Sequence, residues 1–238
     1  MNLLLLGYGK MGKTIERIAI ERGHRLAHII DVQNLDTLKD INPDEVDAAI
    51  EFTQPESAFI NLKTCIEKGI PVVSGTTGWL DRKSEIEKLC LQHQGAFFYA
   101  SNYSIGVNIF FKLNQYLAKM MQGFPEYEIQ IEEIHHTEKK DAPSGTAITL
   151  AEGILSENKS KTRWVNQPPT DDQQLEIISK RIGAVPGTHT VNYRSSVDDI
   201  QITHTAHSRE GFALGAVLVA EWITDKKGNL SMEDFLKL

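Results

Sequence analysis

The feature that most constrains the fold is Gly7-Tyr8-Gly9-Lys10-Met11-Gly12, a G-x-G-x-x-G run that follows a short apolar strand and opens a helix. Each glycine has a task in that setting. Gly7 makes the tight turn, Gly9 lets a pyrophosphate approach the backbone, and Gly12 permits close helix–strand packing. The helix start then offers free N–H groups and the positive end of its dipole to phosphates. Asn2–Leu6 reads as a strand buried on both faces, and Met11–Arg22 has helical spacing in Ile15, Ile18 and Ala19. Arg25–Asp31 reads as the second strand, and Asp31 closes it about 20 residues beyond the glycines, where a carboxylate meets ribose hydroxyls. Together these predict a βαβ unit that binds a dinucleotide, in preference to a glycine-rich turn of some other α/β fold.

The same alternation continues. Strand-like runs recur at Ala48–Phe52, Pro71–Ser74 and Phe97–Ala100, with helical segments Glu56–Lys68 and Asp81–His93 between them. That spacing indicates an α/β domain with a parallel, doubly wound sheet. The character changes after Tyr103. Val107–Met120 reads as a helix, Tyr127–His136 as a strand with Tyr127, Ile129 and Ile131 on one face, and Ile148–Leu155 as a helix. Glu176–Ile182, Thr188–Arg194 and Ile200–His207 then alternate with period two between Gly and Pro turns, so the second half reads as α+β. Asn158–Asp172, polar and carrying Pro168-Pro169, reads as a surface excursion, and Phe212–Trp222 as a last apolar helix.

Composition narrows the partners. Net charge is −7, from 25 Lys and Arg against 32 Asp and Glu, and no basic stripe is interleaved with aromatics, which argues against nucleic acid. The longest apolar run, Leu3–Leu6, falls far short of a membrane span, and no basic stretch precedes it as in a signal peptide. The two cysteines, Cys65 and Cys90, lie inside helical patterns, which speaks against a disulfide framework and for a reducing cytoplasm. In so acidic a chain, any local basic cluster is informative.

Further ligand-binding segments lie where strands end. Gly75-Thr76-Thr77-Gly78-Trp79 and Ala100-Ser101-Asn102-Tyr103 each close a strand at the carboxyl edge, where open α/β sheets bind ligands. There the glycines admit a nicotinamide to the backbone and the threonines donate to it. The alternative for either segment is ordinary turn chemistry. Asp31 accepts from ribose hydroxyls and repels a 2′-phosphate, and Val32 follows it where an arginine would welcome one. The expected cofactor is therefore NADH. Lys10 and Lys13 either neutralise a phosphate or sit solvated on the first turn, and NADPH is expected to be tolerated.

Protonatable groups concentrate in Ile134-His135-His136-Thr137-Glu138-Lys139-Lys140-Asp141-Ala142-Pro143-Ser144-Gly145-Thr146. Two histidines and a lysine at a strand end make a positive patch, and Ser144, Gly145 and Thr146 open a helix whose N–H groups can hold a carboxylate. Histidine titrates near neutrality and can deliver a proton beside a reducing hydride. The competing reading is a solvated turn capped by Asp141 and Ser144. His189, His204 and His207 are read as structural, the last two on opposite faces of one strand. No metal is expected, because adjacent His135 and His136 on a strand point to opposite faces.

At this point the residues resemble a known family, 4-hydroxy-tetrahydrodipicolinate reductase of lysine and diaminopimelate biosynthesis. The resemblance covers nearly the whole chain, in Gly7–Gly12, Glu51-Phe52-Thr53, Gly75–Gly78, Ser101–Asn108, Glu133–Thr146 and Ser208–Ala216. Its most specific part is the run from His135 to Thr146. The resemblance implies His135 as proton donor, Lys139 as the second catalytic residue, His136 as a substrate ligand, and Ser144, Gly145 and Thr146 as the clamp on a carboxylate of a cyclic imine dicarboxylate. Hydride would come from nicotinamide C4. It also implies a Rossmann domain at 1–105 and 212–238, a mixed-sheet domain at 106–211 that binds substrate and forms a homotetramer, and hinge closure that excludes water. Thr137-Glu138 stand where a more basic pair is expected, which weakens the local field, and Glu51 replaces an aspartate. Two other readings compete. An amino-acid or aldehyde dehydrogenase sharing only the nucleotide half would not need the Lys139 and Ser144–Thr146 arrangement. An NADH-binding redox sensor should carry a docking module, and no basic helix-turn-helix is visible in the sequence.

Overall fold

The computed structural model describes residues 1–208 and 210–237. Arg209, within the Ser208–Ala216 segment, and Leu238 therefore lie outside the described residues. The chain divides into two compact units, Met1–Ser104 with Glu210–Leu238, and Ile105–Arg209.

In the first unit, strands β1 (Asn2–Leu6), β2 (Arg25–Ile30), β3 (Ala48–Glu51), β4 (Val72–Ser74), β5 (Ala96–Tyr99) and β11 (Gly228–Leu230) form one sheet in the order β11-β5-β4-β3-β1-β2. Every pairing in it is parallel. The quadruple leucine of β1 explains the double winding. Leu3 and Leu5 face a core completed by helices α1 (Lys10–Glu21) and α6 (Glu210–Ile223). Leu4 and Leu6 face the opposite core, filled by α2 (Pro55–Glu67) and α3 (Lys83–Gln92). Side chains that alternate across a strand and are apolar at every position require cover on both faces. Because all strands run the same way, Gly7, Asp31, Phe52, Gly75 and Ala100 each follow the carboxyl end of a strand and share one edge of the sheet. Chain order reverses beside β1, with β3 on one side and β2 on the other, and such a switch point is where open α/β sheets hold ligands.

The second unit carries strands β6 (Glu128–His135), β7 (Arg163–Val165), β8 (Gln174–Arg181), β9 (Gly187–Arg194) and β10 (Asp199–Ala206), in the order β10-β9-β6-β8-β7. β9 is antiparallel to both neighbours, while β6, β8 and β7 run parallel, so the sheet is mixed. Helices α4 (Ile105–Met121) and α5 (Gly145–Glu157) cover one face, burying Phe110, Leu117, Leu150 and Ile154 against Ile129, Ile131, Leu175, Ile177, Val191 and Tyr193.

The structure corrects several elements. The stretch 158–172 contains β7, because Arg163–Val165 pairs in register with β8. β11 and the short α7 (Met232–Leu236) follow the last expected helix. His207 lies beyond the end of β10. Among the described residues no helix is long and apolar enough to cross a membrane.

Candidate active site

The glycine-rich turn of the first unit has backbone requirements that only glycine meets. Gly7 adopts φ +95°, and a Cβ there would fall 2.0 Å from the carbonyl oxygen of Phe52. A Cβ on Gly12 would fall 2.1 Å from the Gly7 carbonyl oxygen, so α1 presses directly on the turn. Gly9 caps α1 in extended conformation with open space where a side chain would stand. Lys10 is exposed and Met11 half-buried in the first turn. The Tyr8 hydroxyl donates to Glu16, and Lys13 stands 5.7 Å from the Tyr8 ring centre.

Asp31 follows β2 as expected, and its carboxylate accepts the Val32 N–H at 2.8 Å. A groove of about 310 Å³ brings Met11, Gly75, Thr76 and Thr77 together with Phe52–Pro55. Its floor is organised by Glu51, which is fully buried. That carboxylate accepts from Thr53 N at 2.9 Å, Ser74 Oγ at 2.6 Å and Thr76 Oγ1 at 2.7 Å, and also from the Thr53 hydroxyl. Tyr103 serves the loop rather than presenting its side chain: its ring is buried and its hydroxyl donates to the Ser74 carbonyl at 2.6 Å. Beside it Ala100 is buried, Ser101 exposed and Asn102 half-buried, with the Asn102 side chain accepting from Ser104 N at 2.9 Å. Glycines, a helix N-terminus, an aspartate at the second strand end and a groove at the switch point together fit a dinucleotide.

In the second unit, β6 sets out the chemistry by period two. Ile129 and Ile131 face the helices, and the same face continues as Glu133 and His135, both buried. The register brings further groups to that face. Glu133 pairs with His189 on β9, which in turn pairs with His204 on β10, while Ser179 and Arg181 of β8 stand opposite Glu133 and His135. The Glu133 carboxylate accepts from the Ser144 backbone N–H at 3.1 Å and from the Arg181 guanidinium at 3.1 Å. Its other oxygen lies 3.0 Å from Nδ1 of His135 and 3.8 Å from Nε2 of His189. Ser144 caps α5: its hydroxyl accepts from Ala147 N at 3.2 Å and sits 3.1 Å from Nε2 of His189. Gly145 is exposed and Thr146 half-buried at the head of the helix.

Lys139 bonds both Asp141 carboxylate oxygens at 2.8 Å. Arg181 pins the loop between β6 and α5 through the carbonyls of Lys139 at 3.3 Å and Asp141 at 2.5 Å. His136, the first residue past β6, is half-buried.

The electrostatics follow from burial. Burial pushes the His135 imidazole below its ordinary value, with Lys139 and Arg181 adding to the effect and Glu133 and Asp141 opposing it. Burial drives His189 down to about 4, helped by His135, His204 and Lys139 against Glu133. Burial alone would raise Glu133, but hydrogen bonds from Ser144, Ser179 and Arg181 and the charge of His135 outweigh it, and the carboxyl lies below its ordinary value. Lys139 holds the Asp141 carboxyl low as well.

Glu133, His135 and His189 could also surround a metal ion, with ligand atoms within 4.8 Å of one another. The expectation of no metal considered only the two adjacent histidines. This donor set differs, but the Arg181 guanidinium already occupies the same carboxylate, and Lys139 adds a second positive charge nearby. A dication would meet both.

Sequence reasoning named Glu51 and Glu133 only within the family segments, read His189 as structural and gave Arg181 no role. Glu133 and His135 stand two apart on a strand, and that period-two signal was available in the sequence. The pairing of β6 with β8 and β9 was not.

A doubly wound sheet with a switch-point groove, joined in one chain to a buried histidine–carboxylate cluster, defines a nicotinamide-dependent oxidoreductase. Comparison with known proteins agrees. Residues 1–103 match the family model described as dihydrodipicolinate reductase, N-terminus, and residues 106–236 the one described as its C-terminus. The 4-hydroxy-tetrahydrodipicolinate reductase of Christiangramia forsetii is 52% identical over 99% of this chain and 98% of its own. That of Archaeoglobus fulgidus is 36% identical over 96% of each. The dipicolinate-bound dihydrodipicolinate reductase of Paenisporosarcina sp. TG-14 superposes with a TM-score of 0.79 over 99% of both chains, at 20% identity, and so shares the fold. The chain belongs to the dihydrodipicolinate reductase family.

Proposed function

We propose that the protein reduces 4-hydroxy-tetrahydrodipicolinate to tetrahydrodipicolinate in lysine and diaminopimelate biosynthesis, the substrate gaining a hydride and a proton and losing water. The observation that carries the chemistry is the Glu133 bridge, which ties His135 and the head of α5 into one cluster. His135 is the proton donor. Lys139 leaves Asp141 to meet substrate charge, and His136 with Ser144, Gly145 and Thr146 receives a carboxylate at the helix N-terminus. The cofactor is held by Gly7–Gly12, Asp31, Gly75–Thr77 and Ala100–Tyr103, and when bound it supplies the hydride from nicotinamide C4. No metal takes part in this reading. Asp31 and the exposed Val32 support NADH as the better cofactor, with NADPH also accepted. The family relationship supports a homotetramer built on the mixed-sheet unit, and the unpaired Cys65 and Cys90 support a reducing cytoplasm.

The test follows loss of NADH absorbance in an assay coupled to the preceding synthase, and the same assay with NADPH ranks the cofactors by kcat/KM. Replacing His135 or Lys139 by Ala lowers kcat by at least about 100-fold, the scale of a lost acid–base group, while NADH binding survives. Full activity in both variants overturns the roles, and a strong NADPH preference overturns the cofactor ranking.

A further inference from the structure

We propose that Glu133 is a positioning residue: its buried carboxylate holds His135 with a proton on Nδ1, so that Nε2 is the nitrogen that releases the catalytic proton, and it fixes the Ser144 N–H at the head of α5. The inference rests on the reading of His135 as donor.

Four observations carry it. First, Glu133 is wholly inaccessible, and its two oxygens divide their partners. One takes Ser144 N and Arg181, each at 3.1 Å, and the other lies 3.0 Å from His135 Nδ1. Second, a buried carboxylate can only accept, so the nitrogen beside it is the protonated one in the neutral ring. Neither His135 Nδ1 nor the facing Glu133 oxygen forms a hydrogen bond of good geometry to any group, so what joins them is the 3.0 Å ion-pair approach itself.

Third, the opposite ring nitrogen has room to work. Residue 187 is glycine, and a Cβ there would come within 3.1 Å of His135 Nε2. Fourth, the neighbouring His189 obeys the same logic. Its Nε2 faces two acceptors, Ser144 Oγ at 3.1 Å and Glu133 at 3.8 Å, while its Nδ1 has no partner. A proton on Nε2 therefore serves the Ser144 contact and points towards the Glu133 charge, and leaving an acceptor empty costs less than burying an orphaned N–H. Ser144 Oγ then accepts from His189 and from Ala147 N, which leaves its own hydrogen to donate to a substrate carboxylate.

The charged groups facing His135 are Glu133 on its own strand, Lys139 and Asp141 on the following loop, Arg181 on β8 and His189 on β9. Glu133 stands 3.0 Å from the ring nitrogen and is one of the two that favour its charged form. The family of acid–base histidines oriented by a carboxylate shows what is lost when the wrong tautomer forms: turnover falls by orders of magnitude while geometry persists.

The experiment is ¹⁵N NMR of the histidine rings in the full-length protein with NADH bound, using Glu133→Gln, Glu133→Asp and a His135→Asn reference for assignment. In the wild type, neutral His135 is expected to carry its proton on Nδ1, and a ring protonated on Nε2 overturns the proposal without any variant. In Glu133→Gln the His135 titration moves to lower pH, and the basic limb of kcat/KM moves with it. Turnover falls by roughly 100-fold. Glu133→Asp, which keeps the charge, returns the limb towards its original pH. An unchanged His135 titration in Glu133→Gln overturns the proposal. Absence of reductase activity in the wild type would instead count against the function proposed above, since the ring signals report the tautomer without turnover.

Discussion

His189 is buried between His135 and His204, and its neutrality is part of what keeps the second unit folded. Its value in the folded chain, about 4, lies below the ordinary 6.5. A depressed histidine stabilises the fold above its unfolded value and loses that contribution as pH falls, because the unfolded chain then binds the proton first. Between pH 6.5 and about 4 this removes on the order of 3 kcal/mol. His135 acts in the same direction. Urea denaturation of the wild type and of His189→Asn across that range checks it. The variant is expected to be less stable at pH 7 and to lose stability less steeply on acidification, and parallel pH dependences would refute the assignment. At this scale the sequence was informative about which residue types would act: His135, Lys139 and Ser144 stood in one short run. It gave Glu133 and Arg181 no role and read His189 as structural, because their meeting depends on which strands pair.

Most elements emerge near their expected places, and even the three-residue β4 falls within Pro71–Ser74, but β7 and β11 were not expected. β1, α1 and β9 have strong apolar patterning, whereas β7 and β11 have three residues each and exist because a neighbouring strand offers its free edge. α5 begins at Gly145, where Ser144–Thr146 were expected to open a helix and three residues before the apolar pattern that starts at Ile148, because the Ser144 hydroxyl caps it. Packing between elements also fixes residues whose role is invisible in sequence. Gly215 in α6 is one: a Cβ there would stand 1.8 Å from the backbone carbonyl oxygen of Tyr103. Backbone cannot swing aside as a side-chain tip can. Gly215→Ala is therefore expected to destabilise the first unit by about 1–3 kcal/mol or more, the scale of overpacking. Gly123→Ala, with nothing within 4 Å of the added carbon, serves as the control in thermal unfolding. Equal melting temperatures for the two variants would contradict the argument.

On the scale of the molecule, the first unit is assembled from both ends of the chain. α6 contributes Ala213, Gly215, Ala216, Val217, Val219, Ala220 and Ile223, all buried, to the core that also holds Leu3, Leu5, Ile50 and Phe98. Losing those side chains costs on the order of 10 kcal/mol, as much as the net stability of a domain. A chain ending at residue 209 is expected to show no cooperative melting of the first unit and no NADH binding by fluorescence. A truncated chain that bound NADH as the full one does would show that β1–β5 and α1–α3 suffice. The sequence by itself determined the two classes of architecture, the nucleotide edge and the run that holds His135, because periodicity, glycine spacing and capping are local and are written in consecutive residues. Only the tertiary structure decided that Glu51 ties the loops of its groove and that Glu133 joins His135 to Ser144. Those facts depend on strand order and register, which are set by burial of whole faces rather than by any short stretch of chain.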